Sequence, residues 1–159
     1  MREMKDSGIP WLGFIPADWK CGKVGYYSSI TKLAGFEFTN YFDYEADGNV
    51  IAIRGVNLKN FNIDLSNIQT ITEDVSDLLP RSQVKNNDIL VSYAGSVGNI
   101  GLVENNEKRF HLAPNVGKIT LNDSRVLPKF LAYYLVSYAG QDEIYQLKNK
   151  AISQQTVDK

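Results

Sequence analysis

Residues 84–98 read VKNNDILVSYAGSVG, and this stretch carries the clearest structural pattern in the chain. The Asn-Asn-Asp run at 86–88 is typical of a turn. Residues 89–93, which are mostly apolar, predict a strand. A loop containing two glycines follows at 94–98, since glycine adopts backbone conformations that other residues avoid. Residues 100–103 predict a partner strand, so the whole stretch is a strand–loop–strand unit.

Further strands are predicted on both sides of this unit. The β-rich runs and apolar alternation that indicate them occur at 49–54, 60–65, 68–71, 110–114 and 116–121. The last two are expected to form a pair. The stretch 24–40 fits a short helix or a strand equally well, because its apolar spacing matches neither period clearly.

Helices are predicted at two places. Residues 72–79 have Thr72 as an N-cap, two acids in the first turn and a proline after the last residue. Pro128 opens the clearest helix, since proline favours the first turn. Its apolar face comprises Leu127, Leu131, Leu135 and Tyr138. Gly140 is expected to break it, and a second helix is predicted over 142–148.

The first 25 residues have a different character from the rest. They contain Gly8, Pro10 and Pro16, which exclude a long helix, together with Trp11 and Trp19. Indole rings are costly to leave in water. We therefore expect residues 1–25 to run extended and to pack on the domain through these rings.

The composition of the chain excludes several classes of protein. Its 159 residues suit one domain, and 17 basic against 18 acidic residues leave a net charge of -1. That balance argues against binding driven by bulk charge but allows a local basic face. Cys21 and His111 stand alone, so no disulfide framework, metal or other cofactor is expected. No apolar run is long enough for a membrane span or a signal peptide, which predicts a cytoplasmic protein.

The parts of a catalytic site are missing. The chain has no GxxxxGK[ST] loop, no GxGxxG fingerprint and no GxSxG elbow. The tripeptide Asp18-Trp19-Lys20 resembles a fragment used by magnesium nucleases, but no third acidic ligand is evident. We therefore expect no catalytic residues, and an independent enzyme remains the least favoured alternative.

The chain resembles the specificity subunits of type I restriction-modification systems. Residues 6–13 (DSGIPWLG) and 15–19 (IPADW) are similar to the leader of many such subunits. Residues 50–58, 84–98 and 127–135 follow in the family's order, although Asn87 stands where a glycine is usual. The resemblance covers about residues 6 to 155.

This resemblance implies an α+β fold with a curved, mostly antiparallel sheet and flanking helices. It implies that residues 1–159 form a single DNA target-recognition domain, with 1–25 as its leader and 128–148 as its helical part. Such a domain reads half of a split duplex DNA sequence and directs methyltransferase and restriction subunits to it. The spacer helix of the family is expected to begin where this chain stops.

The candidate DNA-contacting residues lie in loops and at strand ends: Lys32, Arg54, Asn57, Lys59, Tyr93, Ser96, Asn99, Lys108 and Arg109. Arginine can read a guanine edge or bind phosphate, and asparagine can pair with adenine. Each has a structural alternative: a surface ion pair for Arg54, a turn-forming role for Asn57, and a glycine-dependent hairpin for the 92–99 loop. A protein–protein interaction module that keeps the fold without reading DNA is the alternative function.

Overall fold

Two four-stranded sheets pack face to face and carry helices on their outer faces. The computed structural model describes residues 2–104 and 107–146. The run Asn105-Asn106-Glu107 predicts a turn, of which the first two residues lie outside the described residues, as do the last two residues of the helix predicted over 142–148 and the polar stretch 151–159. The combination of helices and mainly antiparallel strands confirms the predicted α+β class.

The strands in chain order are β1 (Met4–Asp6), β2 (Phe14–Pro16), β3 (Ser28–Lys32), β4 (Val50–Ile53), β5 (Leu58–Lys59), β6 (Asn62–Ile63), β7 (Gln69–Ile71), β8 (Gln83–Val84), β9 (Ile89–Ser92), β10 (Ile100–Leu102), β11 (Phe110–Leu112) and β12 (Val116–Leu121). The helices are α1 (Gly35–Tyr41), α2 (Glu73–Leu78) and α3 (Pro128–Val136), and residues 138–146 are helical as well. Short 3-10 turns lie at Val24–Tyr26, Gly55–Asn57 and Pro80–Ser82.

One sheet, the β9 sheet, has the order β10-β9-β12-β3 and is antiparallel throughout. The other, the β4 sheet, has the order β7-β4-β11-β8, in which β4 and β11 run parallel. The predicted pairing of β11 with β12 is wrong. The link at 113–115 carries the chain from one sheet to the other, so the two strands pair with different partners.

The space between the two sheets is filled by apolar side chains that occupy every second position along the strands. Ile51 and Ile53 of β4 meet Leu90 of β9 there, because successive side chains of a strand point to opposite faces. Val50 and Ala52 point outward, beneath α2 and the end of α1. On the far side, the outer face of the β9 sheet packs against buried side chains of α3.

The leader forms a hairpin in which β1 pairs with β2. Its two indoles contact α3: the ring centroids of Trp11 and Tyr134 are 6.5 Å apart, and those of Trp19 and Phe130 are 5.9 Å apart. Both indoles nevertheless keep about half of their surface exposed (54% and 45%). The rings therefore lie along the helix rather than entering the core.

The C-terminal helices differ from their predicted layout. Leu131 and Leu135 are buried as expected, but Leu127 and Tyr138 are 65% and 90% exposed. Helix α3 is separated from the next helix at Ser137, whose hydroxyl donates to the carbonyl of Tyr134 (2.6 Å). Gly140, which was expected to break the helix, lies inside the next one. The predicted apolar face therefore included one residue before the start of α3, Leu127, and one residue after its end, Tyr138.

His111 is fully buried in β11, and we expect its protonation to destabilise the fold. Its Nδ1 and Nε2 lie 2.9 Å from Leu112 O and 3.2 Å from Leu79 O. Two carbonyl acceptors favour the cation, but burial outweighs them and lowers the His111 pKa below its ordinary value of 6.5. The neutral ring thus contributes stability that is complete above pH 6.5 and is lost as the pH falls through the lowered pKa.

We expect urea unfolding to show lower stability at pH 5.5 than at pH 7.5. The variant His111→Gln keeps an amide that can bond to a carbonyl but does not titrate, so its stability should change less over this interval. An equal loss in the variant and in the wild type would show that other groups cause the acid sensitivity.

Candidate nucleic-acid interface

Strands from both sheets end along a single edge of the domain. Lys32 at the end of β3 pairs with Gly117, and Ser92 at the end of β9 pairs with Val116. In the other sheet β4 and β11 end side by side, as the pairing of Ile53 with Leu112 shows. We call the resulting surface the strand-end rim; it comprises Lys32, residues 54–57 and residues 92–99.

The two loops of the rim touch each other. Asn99 Nδ2 donates to Gly55 O across 3.4 Å. A methyl group on Gly55 would lie 3.3 Å from the Cβ of Ser92. Candidate residues from the two loops therefore lie close together.

The 92–99 loop is organised by the buried hydroxyl of Ser92. This hydroxyl accepts from Asn99 N (3.0 Å) and donates to Ser96 O. Gly95 and Gly98 both have positive φ (72° and 93°), which side chains disfavour. Gln141 supports the loop from the second C-terminal helix, because its Nε2 donates to Gly98 O (2.9 Å).

Ser92 and Gln141 both hold the 92–99 loop in place, but neither is among the site residues predicted from the sequence. A serine directly before a glycine loop was a usable signal for Ser92. Gln141 had none, since it is remote in sequence and acts through a backbone carbonyl. The side chain of Ser96, in contrast, is exposed at the tip of the loop, as its predicted role requires.

Lys32 and Tyr93 lie together at the rim. The Lys32 Nζ is 5.5 Å from the centroid of the Tyr93 ring, a cation–π distance. Tyr93 is 43% exposed and Lys32 is exposed as well. This part of the rim therefore presents a positive charge beside an aromatic face.

Arg54 leaves the end of β4 and is held by the loop before β7. Its Nη2 donates to Asn67 O (2.8 Å) and Asn67 Oδ1 (3.0 Å). The Nε is buried and has no hydrogen-bond partner within residues 2–104 and 107–146. The surface ion pair that stood as the structural alternative for Arg54 is not what the guanidinium makes here: its partner is an amide residue, so no carboxylate offsets its positive charge in these bonds.

For Asn57 the geometry favours the turn-forming alternative. The side chain is only 2% exposed. Its Oδ1 accepts from Arg54 N (3.0 Å), and its Nδ2 donates to Asp64 O and Asn67 O (both 2.9 Å). The amide is thus used within the protein, where it fixes the loop that holds Arg54.

Lys59 stands next to the rim on β5 and forms an ion pair with Asp64 at 2.6 Å. The Lys59 ammonium holds the pKa of the Asp64 carboxyl well below its usual range. Both groups are solvent-accessible, so the pair can open at little cost.

Lys108 and Arg109 lie at the opposite end of the β4 sheet. They precede β11, whose start pairs with the start of β4. Arg109 is bound to Asp77 (2.5 Å) and approaches Glu73 (3.6 Å) on α2. The nine predicted residues therefore do not form one surface, because two are separated from the rim by the length of the sheet.

The described residues contain no group of three or more histidine, cysteine, aspartate or glutamate side chains placed to hold a metal. Asp18, the acid of the nuclease-like tripeptide, is paired with Arg2 at 2.8 Å. Over the same residues no helix is long and apolar enough to cross a membrane.

The fold is a two-sheet domain in which polar and basic loop residues gather at strand ends. A family model described as "Type I restriction modification DNA specificity domain" matches residues 18–159. The chain belongs to this family, and it is a specificity domain rather than a catalytic subunit. The match leaves out most of the leader, whose motif suggested the same family.

Two known specificity subunits are similar to this chain, one in sequence and one in fold. The chain is 28% identical over 144 residues to the type I restriction enzyme EcoBI specificity subunit of Escherichia coli, covering 91% of this chain and 30% of that protein. The crystal structure of the HsdS subunit from Thermoanaerobacter tengcongensis has a similar fold, with a TM-score of 0.51 at 12% identity over 98% of this chain. The chain spans 41% of that subunit.

Proposed function

We propose that this chain reads a short duplex DNA sequence through the strand-end rim. The observation that carries the proposal is the contact between the two rim loops, which brings Arg54, Asn99 and Tyr93 to one surface with Lys32. Arg54 suits a guanine edge or a phosphate, and Lys32 suits a phosphate. The exposed Ser96 hydroxyl and part of the Asn99 amide supply hydrogen-bonding groups for base edges.

The proposed contact set is smaller than the sequence alone suggested. Asn57 acts by positioning Arg54 rather than by touching DNA, since its amide is occupied within the protein. Lys59 is placed to reach phosphate beside the rim. Arg109 serves to hold α2, because two carboxylates of that helix already neutralise it. Lys108, on the same side as Arg109, lies too far from the rim to share its DNA site.

We propose further that residues 1–159 act as one target-recognition domain within a larger assembly. The family match supports recognition of half of a split target on behalf of methyltransferase and restriction subunits, and it supports a cytoplasmic location. The near-neutral charge of the chain supports weak binding in isolation, strengthened when the domain is part of a complex.

Binding of the full chain to mixed-sequence duplex DNA is expected to weaken as salt rises, since each phosphate contact releases counterions. Lys32→Ala and Arg54→Gln should each lower the affinity about tenfold at low salt. Fluorescence anisotropy of a labelled duplex measures both effects.

The matched control is Arg125→Gln. Arg125 is an exposed arginine that pairs with Asp123 beyond the far end of β12, away from the rim. Its loss should leave the affinity within about twofold, in line with a charge outside the interface. Equal affinities for wild type and Arg54→Gln, with both proteins folded by circular dichroism, would contradict the proposal and favour the interaction-module alternative.

A further inference from the structure

The segment between β3 and β4 leaves the strand-end rim at Lys32 and ends at Val50, the start of β4, at the other end of that strand from Arg54. Within the segment, the Arg54 guanidinium acts electrostatically on the Tyr44 hydroxyl. Helix α1, seven residues long, begins at Gly35, soon after Lys32. The start of the helix is therefore close in the chain to the proposed DNA-reading surface.

One side of the α1 segment is fixed to the core. The ring of Phe38 lies 5.9 Å from that of Phe42, which is only 4% exposed and packs with the outer face of the β4 sheet. Phe42 also contacts the rings of Tyr44 and His111. These contacts determine which side of the helix faces away from the protein.

The outward side carries Phe36 and Asn40. Residues four apart lie on one face of a helix, and these two are nearly opposite Phe38 and Phe42. Phe36 is 66% exposed and takes part in no ring contact among the described residues. Asn40 is exposed too. Neither side chain is needed to hold the helix on the domain.

Helix α1 carries a single acid, and that acid is turned toward the start of the helix. This acid is Glu37, whose Oε2 accepts from Ala34 N at 2.8 Å. The next carboxylate, Asp43, lies beyond the helix end. The outward face therefore presents an aromatic ring and an amide on a helix that begins soon after the positive charge of Lys32.

We propose that α1 enters the major groove and that Phe36 and Asn40 determine part of the recognised sequence. This inference rests on the proposed function and adds a third element to the rim. A helix of seven residues is about 10 Å long, and the major groove is about 12 Å wide. A phenylalanine ring can contact a thymine methyl group, and an asparagine amide can pair with N6 and N7 of adenine.

The test uses the duplex that the full wild-type chain enriches from a random pool, together with a scrambled duplex. Phe36→Ala and Asn40→Ala should each lower the affinity for the enriched duplex about tenfold. Their affinity for the scrambled duplex should stay unchanged, because phosphate contacts carry no sequence information. Repeating the selection with each variant should relax the preference at one or two base positions.

The matched control is Phe14→Ala, which removes an equally exposed ring (71%) from the leader hairpin. It should change neither affinity nor motif. If Arg54→Gln abolishes enrichment while both α1 variants keep the wild-type motif and affinity, the inference fails and the proposed function stands. If the wild-type chain enriches no motif, the proposed function fails and the α1 inference falls with it.

Discussion

Replacing Asp88 by alanine is expected to lower the free energy of unfolding by about 3 to 5 kcal/mol. Asp88 is 2% exposed and lies 3.8 Å from the ammonium of Lys118, which is 8% exposed. Burial lowers the Lys118 pKa and the Asp88 carboxylate opposes that shift. Without Asp88, the Lys118 ammonium is left buried, and among residues 2–104 and 107–146 its remaining hydrogen-bond partner is the carbonyl of Gln83.

The carboxylate of Asp88 also accepts two hydrogen bonds, and their loss should lower the free energy of unfolding further. It accepts from Lys85 N (2.8 Å) and from the hydroxyl of Thr120. The first of these bonds closes the turn that opens the strand–loop–strand unit. Urea unfolding followed by circular dichroism measures the change in free energy.

The combined variant Asp88→Asn with Lys118→Met separates the charge from the hydrogen bonds. It removes both charges while keeping an acceptor for Lys85 N, so it should recover a large part of the loss. Asp18→Ala serves as the exposed control, since its solvent-exposed pair with Arg2 should contribute little to stability. A loss at Asp88 no greater than that at Asp18 would contradict the role of the buried pair.

Replacing Asn57 by alanine should cost about 3 kcal/mol, because it removes three hydrogen bonds of a buried amide. The backbone NH of Arg54 and the carbonyl of Asp64 lose this partner, and Asn67 O keeps the bond from Arg54 Nη2. The loop holding Arg54 should loosen, so DNA affinity should fall even where the variant remains folded.

Thermal unfolding and anisotropy measure the two effects of Asn57→Ala separately. Asn62→Ala is the control, since Asn62 is exposed and makes a single bond to Asn60 O (3.1 Å). We expect it to change stability by less than about 0.5 kcal/mol. A stable Asn57→Ala variant that binds DNA as the wild type does would refute the positioning role.

Local patterns in the sequence were enough to predict elements that are stabilised locally. Thr72 is an example, because its hydroxyl accepts from Val75 N (3.3 Å) as an N-cap should. Strand β9 and the loop after it were likewise predicted from a turn, an apolar run and two glycines. In each of these the determining residues are neighbours in the chain.

Features set by distant contacts could not be predicted. Helix α1 (GFEFTNY) is rich in poor helix formers, so it depends on the burial of Phe42 rather than on its own propensity. The parallel pairing of β4 with β11 joins segments about 60 residues apart along the chain, which no local pattern specifies. The ion pairs that hold Arg109 at the far end of the sheet come from α2, over 30 residues away.

The most direct test of the account is a selection of the full wild-type chain on a random duplex pool at low salt, run in parallel with Arg54→Gln. We expect wild type to enrich a short motif of about three to five base pairs, and to bind it more tightly than a scrambled duplex of equal length. Arg54→Gln should lose that enrichment. Unchanged pools after selection with wild type would contradict the claim that this domain reads DNA sequence through its rim.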